Sequence, residues 1–147
     1  MQGSRNIDIL MHIRDYCAEI NHTMDTFGRD YDIFVSNSIY QNAVALCVLQ
    51  IGELTTHFTD EFKSAYNKVP WNQIKALRNV VAHNYGKIDK ETLWETLLND
   101  IPDLNDYCCQ IITEHQALEQ ECNESQTMNL SSVSYTHLRA HETEADL

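Results

Sequence analysis

Four glycines and two prolines in 147 residues are too few turn formers for a β-sandwich or barrel, and their scarcity favours long helices. Basic residues are scarce too: ten Lys and Arg stand against 22 Asp and Glu, a formal charge of −12. That balance gives no support to broad nucleic-acid binding and suits pairing with a basic partner protein. No run approaches the roughly 18 apolar residues of a membrane span. Met1-Gln2-Gly3-Ser4-Arg5 leads into no signal-peptide core, so the expectation is a soluble, cytoplasmic protein with no membrane partner. Cys17, Cys47, Cys108, Cys109 and Cys122 are odd in number and contain no Cys-x-x-Cys pair. They read as buried, reduced thiols of a reducing compartment, in preference to a disulfide or zinc framework.

What is present is helical periodicity. Leu10, Ile13, Cys17, Ile20, Met24 and Phe27 recur at spacings of three and four and predict a helix over 7–27, ended by Gly28. Ile33, Tyr40, Val44, Cys47, Ile51, Leu54 and Phe58 keep a heptad spacing broken only by Asn37, which predicts one long helix over 31–58 with Asp30 as its N-cap. Phe34, Ala45 and Val48 add a second apolar row to that helix. One or two helical turns are expected around 61–66. A third helix runs from Pro70, suited to a first helical position, to Asn84 before Gly86. A fourth begins at Asp89 or Lys90 and carries Trp94, Leu97, Ile101, Leu104, Cys108, Ile111, His115 and Leu118 on one stripe, with a kink or restart at Pro102. Long helices with short links pack most simply as an all-α antiparallel bundle of four main helices.

After Cys122 the periodicity fails. The helical domain is therefore expected over 1–123 and a disordered tail over 124–147. Residues 133–143 resemble a string that recurs at the ends of unrelated translated sequences through read-through of cloning or adaptor DNA. On that reading His137 and His141, with Glu142 or Glu144, are not a metal site.

Between Lys63 and Lys90 the charge reverses: Lys63, Lys68, Lys75, Arg78, Lys87 and Lys90 face a single acid, Asp89. Inside this basic island, Arg78 is followed, after four intervening residues, by His83 and then, after Asn84, by Tyr85. Those three types carry a chemistry. An RNA phosphodiester is cleaved without metal when a base takes the 2′-hydroxyl proton, an acid protonates the leaving 5′-oxygen and a cation stabilises the phosphorane-like transition state. Arg78 suits the cation, His83 the proton transfer, and Tyr85 a phosphate hydrogen bond or a base stack. On an ideal helix Arg78 and Tyr85 share a face while His83 lies about 140° round from Arg78. A two-fold dimer that faces this helix with its copy would bring two sets of groups into one cleft. Taken alone, the spacing equally describes a solvated arginine, a capping histidine and a half-buried tyrosine.

The flanks add weight. Gly52-Glu53 lies in the long second helix, Pro70-Trp71 opens the third, and Trp94 follows the tyrosine. This arrangement resembles the HepT-like toxins of the HEPN superfamily over residues 7–118. The resemblance implies an all-α homodimer with a metal-independent, cofactor-free endoribonuclease site of Arg78 and His83 between protomers. It also implies a toxin–antitoxin module whose partner, a small MNT-type nucleotidyltransferase, neutralises the toxin by adding AMP to Tyr85. Glu53, otherwise a solvated acid or an ion-pair partner of Arg78 or of a lysine, and Asn79, one turn before His83 and otherwise a polar surface residue, are supporting candidates. His12, His22 and His57 have no ligand-like spacing, His115 reads as a buried, hydrogen-bonded histidine, and Asp103, Asp106, Glu114, Glu119, Glu121 and Glu124 read as a solvated face. The alternative is a non-catalytic helical module that binds a nucleotide or a protein partner through the same basic island.

Overall fold

A computed structural model describes the backbone of residues 2–82 and 89–145 and the side chains of residues 4–79, 81 and 89–126. It is all-α, with no strand among the described residues. Helix α1 spans Gln2–Phe27 and buries Leu10, Ile13, Cys17, Ile20 and Met24 completely, the stripe expected from sequence. Gly28 stops it at φ +117°, with its N–H on the Met24 carbonyl at 2.9 Å. An L side chain is strained there, and a Cβ would also meet Ile33 Cδ1 at 2.8 Å.

The single helix expected over 31–58 is two helices, α2 (Tyr31–Val35) and α3 (Ser38–Thr55). Polar side chains make the break. Asp30 caps α2 by accepting from the Asp32 N–H at 2.8 Å, and Asn37 caps α3 by accepting from the Tyr40 N–H at 3.1 Å. Ser36 Oγ donates back to the Asp32 carbonyl at 2.8 Å, while buried Gln41 donates Nε2 to the carbonyls of Phe34 and Val35 at 2.8 and 3.1 Å. The end of α2 thus keeps its hydrogen bonds without continuing. Ile33 leaves the stripe for the surface and Phe58, beyond α3, stays buried.

Helix α4 (Asp60–Ala65) is the short segment expected near 61–66. Thr59 caps it, and buried Asn6 of α1 ties down that cap by donating to Thr59 Oγ1 at 3.2 Å and accepting from the Thr59 N–H at 3.3 Å. Helix α5 (Trp71–Ala82) opens after Pro70, whose carbonyl accepts from the Ile74 N–H at 3.1 Å. Residues 83–84, the expected end of this helix, lie outside the described residues. Helix α6 (Lys90–Glu95) passes through one π turn, Thr96–Asp100, into α7 (Ile101–Ala145). The restart expected at Pro102 is this π turn: the Ile101 N–H reaches back to the Thr96 carbonyl just before the residue that has no N–H to give.

Helix α3 is the packing centre, lying against α1 on one flank and α5 on another. Phe34, Ala45 and Val48, the extra apolar row, are buried within the chain. Tyr40, Phe34, Tyr31 and Trp94 make one aromatic cluster, and Phe58, Phe62, Tyr66 and Trp71 a second. Burial pushes the Cys17, Cys47 and Cys108 thiols up to about 12, so they remain protonated near neutrality. The chain divides into a unit of residues 1–112 and a second of residues 113–147. Leu118 of the second unit is exposed and His115 is half-exposed, in an ion-pair geometry with Glu119 at 3.2 Å, so the buried part of the fourth stripe ends at Ile111 and His115 is not the buried histidine expected. Helix α7 runs to Ala145 where a disordered tail was expected from Glu124. The segment contains no glycine or proline, so helical propensity meets no stop signal even though the apolar period has ended.

Candidate active site

Helix α5 owes its position to four apolar residues, Trp71, Ile74, Leu77 and Val81, which are all buried. The Trp71 indole packs on Phe58 and Phe62 and donates to the Tyr66 carbonyl at 3.1 Å, which anchors the first turn. Their spacing of three and four leaves Arg78 at the margin of the buried face, with its side chain 36% exposed. Asn79, the next residue, is exposed.

At Arg78 the helix meets Gly52 of α3. A Cβ on Gly52 would lie 2.8 Å from Arg78 Cβ and 2.9 Å from the Arg78 nitrogen, so the two backbones approach at a distance that only glycine permits. Glu53 then stands beside the guanidinium, with Oε1 at 3.2 Å from Arg78 Nη1. The pair is half-exposed, so each partner keeps access to solvent and the ion pair itself adds little stability. Of the two readings of Glu53, ion-pair partner and solvated acid, the geometry gives the first.

The structure therefore joins three of the residues singled out in the sequence, Gly52, Glu53 and Arg78, on two helices far apart in the chain. His83 and Tyr85 lie outside the described residues. Trp71 and Trp94, which flank the motif, belong to the two aromatic clusters and are packing residues.

The basic island is less uniform than the sequence implies. Lys63 approaches Asp60 at 3.8 Å, the Lys90 ammonium lies 3.5 Å from the Val35 carbonyl, and Arg78 is matched by Glu53 from another helix. Lys75 is exposed. Among the described residues no three His, Cys, Asp or Glu side chains converge as a set of metal ligands. The arrangement can present one guanidinium, paired with a carboxylate, to an anion arriving from solvent. The contact that sequence reasoning missed is the one at Gly52. A glycine inside a helical pattern signals close approach, but not to which residue.

Comparison with known proteins follows the same residues. The family described as "Ribonuclease HepT-like" matches residues 11–111, a span that contains Gly52, Glu53 and Arg78. A Caldanaerobacter subterraneus protein described as a candidate RNase is 28% identical over 107 residues, covering 73% of this chain and 94% of its own. A candidate RNase of Methanocaldococcus jannaschii is 29% identical over 96 residues, 65% of this chain and 88% of its own. A Thermococcus cleftensis protein named "Probable ribonuclease HepT" is 29% identical over 89 residues, 59% of this chain and 81% of its own. No solved structure matches the chain.

Proposed function

We propose that this chain, which belongs to the HepT-like ribonuclease family, is an endoribonuclease toxin that cleaves RNA phosphodiesters with Arg78 and His83 and needs no metal or cofactor. The observation that carries the reading is the placement of Arg78: packed backbone to backbone on Gly52, braced by Glu53 and still open to solvent. In the proposed reaction a base takes the proton from the 2′-hydroxyl, the O2′–P bond forms and the P–O5′ bond breaks. The products are a 2′,3′-cyclic phosphate and a 5′-hydroxyl. His83 moves the proton, and Arg78 holds the non-bridging oxygens as charge builds on them. A homodimer that joins two copies of α5 would provide one histidine as base and another as acid. The functional unit in this reading is residues 1–123.

For the partner, we propose a cognate nucleotidyltransferase that transfers AMP to Tyr85. The phenol oxygen attacks the α-phosphorus of ATP and pyrophosphate leaves, placing a phosphodiester charge where RNA phosphate would otherwise seek Arg78. Asn79 is kept as an orienting residue for His83.

The test uses purified wild-type chain on total RNA. Arg78→Ala and His83→Ala are expected to lower cleavage about 100-fold or more with the thermal transition preserved, and EDTA to leave cleavage intact. Cleavage lost in EDTA and restored by a divalent ion, or retained in His83→Ala, overturns the mechanism. Tyr85→Phe is expected to cleave RNA yet gain no AMP mass after co-expression with the transferase. If neither variant nor wild type cleaves any RNA but the chain binds the transferase, the non-catalytic module is the correct reading.

A further inference from the structure

Helix α5 has a second flank, turned towards the start of α7, and it lines a small cleft of about 130 Å³. The lining includes Ile74, Leu77 and Leu104, all buried, with exposed Gln73, Asp100 and Asp103 and half-buried Tyr107 as its polar residues. Both carboxylates come from the end of the π turn and the first turn of α7, three residues apart, where like charges repel across one helical turn. Neither takes part in an ion pair among the described residues. The volume is well below that of a nucleotide or cofactor pocket, and two carboxylates repel a phosphate. It is the size of one long side chain.

We propose that this cleft is a docking point for an Arg or Lys side chain of a basic protein partner. The aliphatic stem would lie along Ile74, Leu77 and Leu104 while the cationic head sits between Asp100 and Asp103 within reach of the Tyr107 hydroxyl. Two observations select a protein as the source of the cation. The apolar lining matches a stem that ends in a single charge, and the chain's formal charge of −12 attracts a basic surface from a distance. Leu77 lines the cleft and immediately precedes Arg78, so a partner seated here would press on the helix that carries the candidate catalytic arginine. The inference does not need the ribonuclease reading, and cleavage is scored separately from binding.

The experiment titrates the full chain, labelled with nitrogen-15, with three capped tripeptides, Ala-Arg-Ala, Ala-Lys-Ala and Ala-citrulline-Ala, and with spermidine. The expected result is saturable shifts of the Gln73, Ile74, Leu77 and Tyr107 amides by the Arg and Lys peptides below about 10 mM, and none by the neutral citrulline peptide. Asp100→Asn with Asp103→Asn should weaken the Arg peptide by about tenfold or more. Gln73→Lys, which places a tethered cation at the same cleft, should abolish its binding while the thermal transition is kept. Equal binding of the citrulline peptide, shifts confined to other surfaces, no shifts at all, or unchanged affinity in the double variant overturns the proposal. Saturation by spermidine with no response to either charged peptide overturns it as well, and assigns the cleft to a free polyamine.

Discussion

Gly52 and Glu53 act on Arg78 in different ways, the first through a missing side chain and the second through its carboxylate. Stability and chemistry therefore separate at adjacent positions. Gly52→Ala places a methyl 2.8 Å from Arg78 Cβ and 2.9 Å from a backbone nitrogen, and a backbone cannot rotate away as a flexible side chain can. We expect it to cost about 1–3 kcal/mol in chemical denaturation and to lower RNA cleavage further than the lost stability explains, because α5 must move at Arg78. Glu53→Ala breaks only a half-exposed ion pair, so its stability change should stay within about 1 kcal/mol. If cleavage falls in Glu53→Ala and returns in Glu53→Gln, which keeps an acceptor oxygen for the guanidinium, Glu53 is a positioning residue. If both variants cleave as wild type does, it is a bystander. The sequence made the candidates visible, since an arginine, a histidine and a Gly-Glu pair are distinctive residue types in distinctive places. It could not show that residues 52 and 78 touch, because the contact depends on how α3 and α5 are packed and not on any local pattern.

Among the elements, helix boundaries that coincide with an end of the apolar pattern were legible and those that interrupt a continuous apolar pattern were not. Gly28, Asp30 and Asp89 act where they stand, through a positive φ or a side chain that bonds a nearby N–H, and each marks the boundary read from sequence. The break between α2 and α3 was hidden because apolar spacing runs on from Ile33 to Tyr40. What sustains the break is the Asn37 cap on Tyr40 together with Gln41 reaching back seven residues to Phe34, a contact without a sequence signature. The π turn at Thr96–Asp100 was similarly hidden under a helical apolar pattern. Asp89 provides a test of how such a cap behaves. The Thr92 hydroxyl and then its N–H donate to the carboxylate and hold it below the usual aspartate value of 3.8. Because the folded value is depressed, the cap's contribution is complete above the unfolded value and is lost as pH falls through the folded one. A carboxyl carbon NMR titration should find Asp89 among the most acidic aspartates. Thr92→Val, which removes the hydroxyl donor, should raise it towards 3.8. An Asp89 that titrates at the ordinary value in the wild type would show that the cap does not form.

At the scale of the whole molecule, burial ends at Ile112 among the described side chains, which run on to Gln126. Among the described side chains every buried residue lies between Asn6 and Ile112, and none from Thr113 to Gln126 is buried, although α7 is helical through Ala145. Helical backbone without a buried face draws little stability from packing, and an isolated helix is marginal in water even over a dozen or more residues. The sequence located this change through the loss of periodicity after Cys122. Lost amphipathicity, however, reports lost burial and not lost helix, which is why the helical backbone beyond Cys122 has no signature in the apolar pattern. A chain ended after Asn123 should therefore keep its thermal midpoint within about 2 °C of the full chain and cleave RNA at an unchanged rate. Its far-ultraviolet circular dichroism should lose helical signal in proportion to the residues removed. A larger drop in the midpoint would mean that the tail helix supports the folded unit. Unchanged stability together with lost cleavage would instead place part of the RNA-binding surface in residues 124–147 and move the boundary of the functional domain beyond residue 123.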